Sequence, residues 1–92
     1  MIYTVGRRLK YERAFAAGPV LKRGRGPNPD GTTYSGGFAF LTADDAARFL
    51  AGKGLSGTHI VMGLEADWAR DTEAVAGAPF HRLLRDAPVV KL

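Results

Sequence analysis

The fold is decided by the stretch YSGGFAFLTADDAARFL, which runs from Tyr34 to Leu50. Two glycines open the apolar part, and Phe38, Phe40 and Leu41 follow. A short apolar run that begins after Gly-Gly is typical of a buried strand, because glycine accommodates a turn and the apolar side chains need cover from water. The sequence therefore predicts a buried central strand at this point.

The predicted strand leads directly into a predicted helix. Thr42 stands at the N-cap position, where its hydroxyl can accept a backbone N–H. Asp44 and Asp45 follow in the first turn, where carboxylates favour the positive end of the helix dipole. The apolar face of this helix should consist of Ala46, Ala47, Phe49 and Leu50. Gly52 and Gly54 should end the helix.

Apolar runs separated by glycine and proline predict the remaining elements. Strands are expected at residues 2–5, 20–23, 58–64 and 89–92, and helices at 7–17 and, more briefly, 79–84. Residues 65–73 fit either a helical turn or an ordered loop. In the first helix the expected inner face consists of Leu9, Ala14, Phe15 and Ala17, with Tyr11 at its border.

This order of elements predicts an α+β fold. We expect a two-layer sandwich with a four- or five-stranded mixed sheet, two main helices and a short third helix. The first strand–helix–strand unit should give parallel neighbours through a right-handed crossover. A chain of 92 residues with 46% hydrophobic content fits a single domain, residues 1–92.

Charge and composition limit the classes of function. The net charge is +4, and residues 1–25 contain seven Lys or Arg against the single Glu12, which gives +6 for that part. Cysteine is absent, so thiol nucleophiles, disulfides and thiolate metal sites are excluded. No signal-peptide pattern or long apolar run is present, so a cytoplasmic protein without membrane contact is expected, either a monomer or a homodimer.

The glycine-rich segment 24–37 is the leading candidate site. It contains five glycines and two prolines, and long loops of this kind tend to be functional or mobile. Guanidinium groups and exposed backbone N–H groups suit an anion. The predicted role is non-enzymatic binding of a small anionic ligand or a protein partner, although a plain surface loop also fits; the residues expected to take part are Arg23, Arg25, Tyr34, Ser35, Gly36, Gly37 and Trp68.

The basic first helix offers an alternative. Arg7, Arg8, Lys10 and Arg13 could attract nucleic-acid phosphates, with binding that weakens as salt rises. The same residues are also what an ordinary solvated helix face would carry.

Catalytic and metal motifs are missing from the sequence. His59 and His81 have no partner at metal-ligand spacing, and the serines lack a nucleophile elbow. Asp67, Asp71 and Glu73 form an acidic cluster for which a solvated surface is the favoured interpretation. We therefore expect no catalytic residue, no metal ligand and no cofactor.

Four segments together resemble a group of small bacterial proteins of unknown function. They are Tyr3-Thr4-Val5, Tyr34-Ser35-Gly36-Gly37, Leu64-Glu65-Ala66-Asp67-Trp68 and the closing residues 86–92. This resemblance covers nearly the whole chain and implies no particular activity.

Residues 35–42, SGGFAFLT, followed by the helix that begins ADDAA, are similar to the strand-then-helix core of ADP-ribosyltransferases. That resemblance implies an NAD-binding protein, minimal or degenerate, in which Arg7 or Arg8, Tyr34 and Glu65 contact the dinucleotide. The Gln-x-Glu or Glu-x-Glu motif of that family is not present in this chain.

Overall fold

The computed structural model describes residues 1–25 and 37–92. Within these ranges the chain forms seven strands and three α-helices, and a 3-10 turn, Phe15–Ala17, extends the first helix. In chain order the elements are β1 (Ile2–Arg7), α1 (Arg8–Ala14), β2 (Val20–Leu21), β3 (Phe38–Ala39), α2 (Ala43–Gly52), β4 (His59–Leu64), α3 (Trp68–Asp71), β5 (Thr72–Ala74), β6 (His81–Leu83) and β7 (Ala87–Val90).

The strands form two antiparallel sheets. One has the order β1-β4-β7-β2 and the other β3-β6-β5. The α+β class is confirmed, but the expectation of one mixed sheet was wrong. It assumed that β1 and β2 are neighbours across α1, whereas β2 is only two residues long and pairs with β7 at the far edge. The two-layer arrangement stays a prediction.

The two sheets are joined through β1. The backbone N–H of Tyr3 donates to the carbonyl of Phe40 at 3.0 Å, and the N–H of Phe40 donates to the carbonyl of Tyr3 at 2.8 Å. Beside this pair the buried Thr4 hydroxyl donates to the carbonyl of Phe38 at 2.7 Å. β1 therefore pairs with β4 along one edge and with the end of β3 along the other.

The hydrophobic core takes residues from both sheets. Met62, Leu64 and Leu83 are fully buried, the first two on β4 and the third on β6. They belong to one cluster, which also contains Ile2, Tyr11, Ala39, Ala87 and Val89. Its residues come from the first, third, fourth, sixth and seventh strands and from α1, so most of the chain depends on it.

The helix predicted after the central strand is confirmed. The amide of Asp45 donates to the Thr42 hydroxyl at 3.1 Å, which is the predicted N-cap. α2 packs against β1 and β4 and buries Ala46 and Leu50, whereas Ala47, predicted for the same face, is exposed. The expectation that Leu41 is buried was wrong, because the strand pairing ends at Phe40 and leaves Leu41 51% exposed.

The inner face predicted for the first helix was correct only in part: Phe15 packs against the core and Ala14 is half-buried, but Leu9 and Ala17 are exposed. Leu9 is 76% exposed, and Tyr11 is the buried residue of α1. The reason lies in Gly6, where a Cβ atom would come within 2.5 Å of the Tyr11 ring and of the Met62 methyl group. Because Gly6 lacks that atom, the ring lies over the strand, and β1 continues past the glycine to Arg7.

The short helix predicted at residues 79–84 is a strand. β6 lies between β3 and β5, with His81 opposite Ala39 on one side and Ala74 on the other. Two antiparallel ladders satisfy the backbone there more fully than one helical turn could. The third helix is instead the single turn Trp68–Asp71, so the helical alternative for residues 65–73 is the correct one. Two end strands were also misplaced, since β2 stops at Leu21 and β7 covers Ala87–Val90.

Replacing Thr42 with Ala should destabilise the protein by about 1 kcal/mol, because the Asp45 amide loses its side-chain acceptor. Urea denaturation of the two proteins measures this difference. Thr42→Ser, which keeps the hydroxyl, should lie close to the parent protein. Equal stability of Thr42→Ala and Thr42→Ser would show that the cap contributes nothing.

Candidate functional site

Both ends of the glycine-rich segment are fixed at β6. The amide of Gly24 donates to the carbonyl of Leu83 at 2.8 Å, and the amide of Leu83 donates to the carbonyl of Gly37 at 2.9 Å. Gly37 also donates to the carbonyl of Lys22 at 3.2 Å. Gly37 is therefore buried and occupied by backbone pairing, so it offers little to a ligand.

The other residues predicted for this site are placed as follows. Arg23 and Arg25 are exposed, and the amide of Arg23 donates to the Asp86 carboxylate at 2.9 Å. Tyr34, Ser35 and Gly36 lie outside the described residues. Their part in binding stays a prediction.

Trp68 belongs to a different cluster, which the sequence did not indicate. Its indole stacks on the His81 imidazole, with ring centroids 3.9 Å apart and an interplanar angle of 22°. Trp68 also packs against the hydrophobic core, and the hydroxyl of the buried Thr72 lies 3.0 Å from His81 Nδ1. α3 supplies Trp68, β5 supplies Thr72 and β6 supplies His81.

The hydrogen bonds of Thr72 determine the tautomer of His81. The Thr72 hydroxyl donates its one proton to the carbonyl of Trp68. It can therefore only accept from the imidazole, so neutral His81 carries its proton on Nδ1. Nε2 keeps its lone pair, and no buried side-chain nitrogen in the described part of the chain lacks a partner, so Nε2 reaches the surface. This atom can accept a hydrogen bond.

Asp71 is the last residue of α3, and its burial corrects the prediction of a solvated acidic face. It is only 1% exposed. Its carboxylate accepts two hydrogen bonds from Arg70, at 2.9 and 2.8 Å, and one from the amide of Asp67 at 2.8 Å. Arg85 lies 3.1 Å away. Asp67 and Glu73 are exposed, as expected.

The hydrogen bonds to Asp71 make protein stability depend on pH. The Arg70 guanidinium and then the Asp67 amide hold the pKa of the Asp71 carboxyl far below its usual range, against the opposing effect of burial. Since the folded state has the lower pKa, the ionised carboxylate contributes stability above its unfolded pKa of about 3.9, and this contribution is lost as the pH falls further.

Asp71→Asn should lower the midpoint of thermal unfolding at neutral pH by roughly 5–10 °C, because the amide NH₂ of Asn faces guanidinium donors. Unfolding curves at neutral and acidic pH measure the effect, and the difference from the parent protein should shrink below about pH 4. Asp67→Asn is the control, because Asn caps a helix as well as Asp does. A difference that is the same at both pH values would contradict the assigned role.

The tautomer of His81 can be tested by ¹⁵N NMR of the imidazole ring at a pH where it is neutral. We expect Nδ1 to carry the proton and Nε2 to show the shift of an unprotonated nitrogen. Thr72→Val removes the acceptor, so Nε2–H, the commoner form in solution, should gain population. If Nε2 carries the proton in the parent protein, the arrangement deduced for Thr72 is wrong.

The basic residues predicted for the first helix lie beside a cleft of about 720 Å³, with Arg7 at the end of β1 and the others on α1. Arg7, Arg8 and Lys10 line one wall together with Leu9, and the turn Gly57-Thr58-His59 lines the other. Backbone pairing fixes the two walls, since the amide of Arg8 donates to the carbonyl of Thr58 at 2.9 Å. The fourth predicted residue, Arg13, is exposed further along α1.

The cations of this cleft are only partly compensated. Arg8 lies 3.8 Å from the Glu12 carboxylate and donates to the carbonyl of Ser56 at 3.4 Å, so it is held in place. In the described ranges no carboxylate pairs with Arg7 or Lys10. Opposite them, the Thr58 hydroxyl lies 2.7 Å from His59 Nδ1. The cleft therefore has a net positive wall and a polar one, which suits an anion.

The residues implied by the ADP-ribosyltransferase resemblance are not brought together. Arg7 pairs with His59 at one end of the β1–β4 ladder, and Glu65 follows Leu64 at the other end. With a rise of about 3.3 Å per residue, the two positions are roughly 20 Å apart. Tyr34 lies outside the described residues, so its position relative to them is left open.

In residues 1–25 and 37–92 no three His, Asp or Glu side chains gather as they would around a metal ion. The helices of the same ranges are all too short or too polar to cross a membrane. Comparison with known protein families, with curated proteins and with solved structures gives no significant match.

Proposed function

We propose that this protein binds single-stranded nucleic acid in the cleft between α1 and the turn at residues 57–59. The observation that supports it is the convergence of Arg7, Arg8 and Lys10 on one concave wall of a cleft of about 720 Å³. Phosphate contacts from Lys and Arg supply most of the affinity of non-specific nucleic-acid binding.

The arrangement of charge favours an extended strand over a single phosphate. Lys10 and Arg13 are three residues apart on α1, so they are neighbours on its surface and continue the positive charge beyond the cleft. Several phosphates in a row would match this track better than one phosphate group.

Leu9 adds an apolar surface between the cations. It is 76% exposed and lines the cleft. A sugar or the face of a base could pack on it while the flanking cations contact phosphates.

Fluorescence anisotropy with a labelled single-stranded oligonucleotide at low ionic strength tests the proposal. With three or four cations engaged, the logarithm of the association constant should fall with the logarithm of the salt concentration at a slope of roughly −2 to −3. Arg7→Gln/Lys10→Gln removes two contacts, so affinity at low salt should drop about tenfold or more and the slope should decrease in magnitude by roughly 1.4.

The matched control is Arg48→Gln/Lys91→Gln, which removes the same charge from exposed positions elsewhere on the chain. It should retain most of the affinity. Equal losses in the two double variants would show a response to net charge alone and contradict a specific cleft. If a mononucleotide displaces the oligonucleotide and binds as tightly as the oligonucleotide does, the cleft binds a single phosphorylated molecule instead.

A further inference from the structure

A second concave surface is built from aromatic rings at the far end of α2. Phe38, Phe49 and Phe80 line a hollow of about 440 Å³ together with Pro79 and Lys53. This volume is in the range of small-molecule sites and far below what a folded partner domain would need. The lining residues come from β3, from α2 and from the turn before β6, so the hollow is formed only when the chain folds.

The rings are held in fixed positions by each other. Phe38 and Phe80 have centroids 4.4 Å apart, and Phe49 meets Phe80 edge-on at 5.8 Å and 85°. The buried Phe40 lies behind them, 5.3 Å from Phe49 and 6.3 Å from Phe80. Phe38, Phe49 and Phe80 are half-buried, and all three line the hollow. Aromatic rings in such arrangements favour another flat ring, offset or edge-on.

Lys53 supplies a charge at the rim. Its Nζ lies 5.9 Å from the centre of the Phe49 ring, and among the described residues no carboxylate pairs with it. Asp45 on α2 pairs with Arg48, and Glu73 on β5 pairs with Arg82. A ligand that carries a negative group beside its ring would therefore find an uncompensated cation.

The negative end of α2 does not cancel this charge. The carbonyl of Phe49 accepts from the amide of Lys53 at 3.1 Å, and that of Leu50 accepts from Leu55 at 3.0 Å. The carbonyl of Ala51 accepts from Gly54 at 3.1 Å. Because these last carbonyls of the helix are paired within the chain, they are not free acceptors that could compete for Lys53.

We infer that this hollow is a binding site for a small aromatic carboxylate of one or two rings. The ring packs among Phe38, Phe49 and Phe80, and the carboxylate pairs with Lys53. A neutral aromatic would lose the ion pair, a cation would be repelled by Lys53, and an aliphatic acid would lose the ring contacts. The site is separate from the basic cleft and does not depend on the function proposed for it.

The test is a titration of ¹⁵N-labelled protein with indole-3-acetate, followed by amide shifts. The shifts should concentrate on Lys53, Gly77, Ala78 and Phe80. Lys53→Gln should weaken binding roughly three- to tenfold, the usual worth of one charge-assisted contact at a partly exposed site. Arg48→Gln, which removes a positive charge from α2 outside the hollow, should leave the affinity unchanged. Neutral indole-3-acetamide should bind more weakly to the parent protein and be insensitive to Lys53→Gln.

Phe49→Leu tests the ring contacts. This variant keeps an apolar side chain but should bind indole-3-acetate more weakly than the parent protein does. Cyclohexylacetate, an aliphatic acid, should bind weakly to the parent protein and to the variant. Thermal unfolding of the variant establishes that it is folded in the titration. Three results would each overturn the inference: no shifts up to the solubility limit of indole-3-acetate, shifts that concentrate elsewhere, or equal affinity in Lys53→Gln and the parent protein.

Discussion

The pair of hydrogen bonds between Tyr3 and Phe40 joins the two sheets. They are 3.0 and 2.8 Å long and pair the end of β3 with the free edge of β1. Unpaired buried backbone groups cost about 1–3 kcal/mol each, so the two strands keep this alignment. The Thr4 hydroxyl strengthens the same join from the core side. Because β1 is paired along both edges, the two sheets enclose one core.

A second connection forms at Leu83 of β6, where the backbones of Gly24 and Gly37 both pair with it. A Cβ atom on Gly37 would lie 2.5 Å from the carbonyl oxygen of Lys22, and one on Gly24 would lie 2.8 Å from the carbonyl oxygen of Gly37. Neither approach leaves room for a side chain, so the chain that follows β2 can lie beside Leu83 only with glycine at both positions. The sequence pattern that suggested a ligand site there is therefore explained in part by packing.

The elements that depend on local sequence signals were predicted correctly, and the elements whose partners lie far away along the chain were not. α2 was predicted correctly because its cap, first-turn carboxylates and apolar face all lie within ten residues. β6 was mistaken for a helix because its two neighbours are set by pairing across the fold. Asp71 was placed on the surface because Arg85, fourteen residues later, completes its partners. The stacking of Trp68 on His81 depends on the pairing of β6 with β5, and no local sequence pattern indicates it.

For the basic cleft, the cationic wall could be predicted from the sequence, but the opposite wall could not. The cations of α1 were recognised as a group, but the opposite wall belongs to a turn some fifty residues later. That turn is ordered from within, since the amides of Thr58 and His59 both donate to the carbonyl of Leu55, at 3.1 and 2.9 Å. Leu55 in turn is fixed to the end of α2. The segment from Lys53 to His59 thus fixes part of the lining of both hollows, which would lower the ordering cost of the binding proposed there.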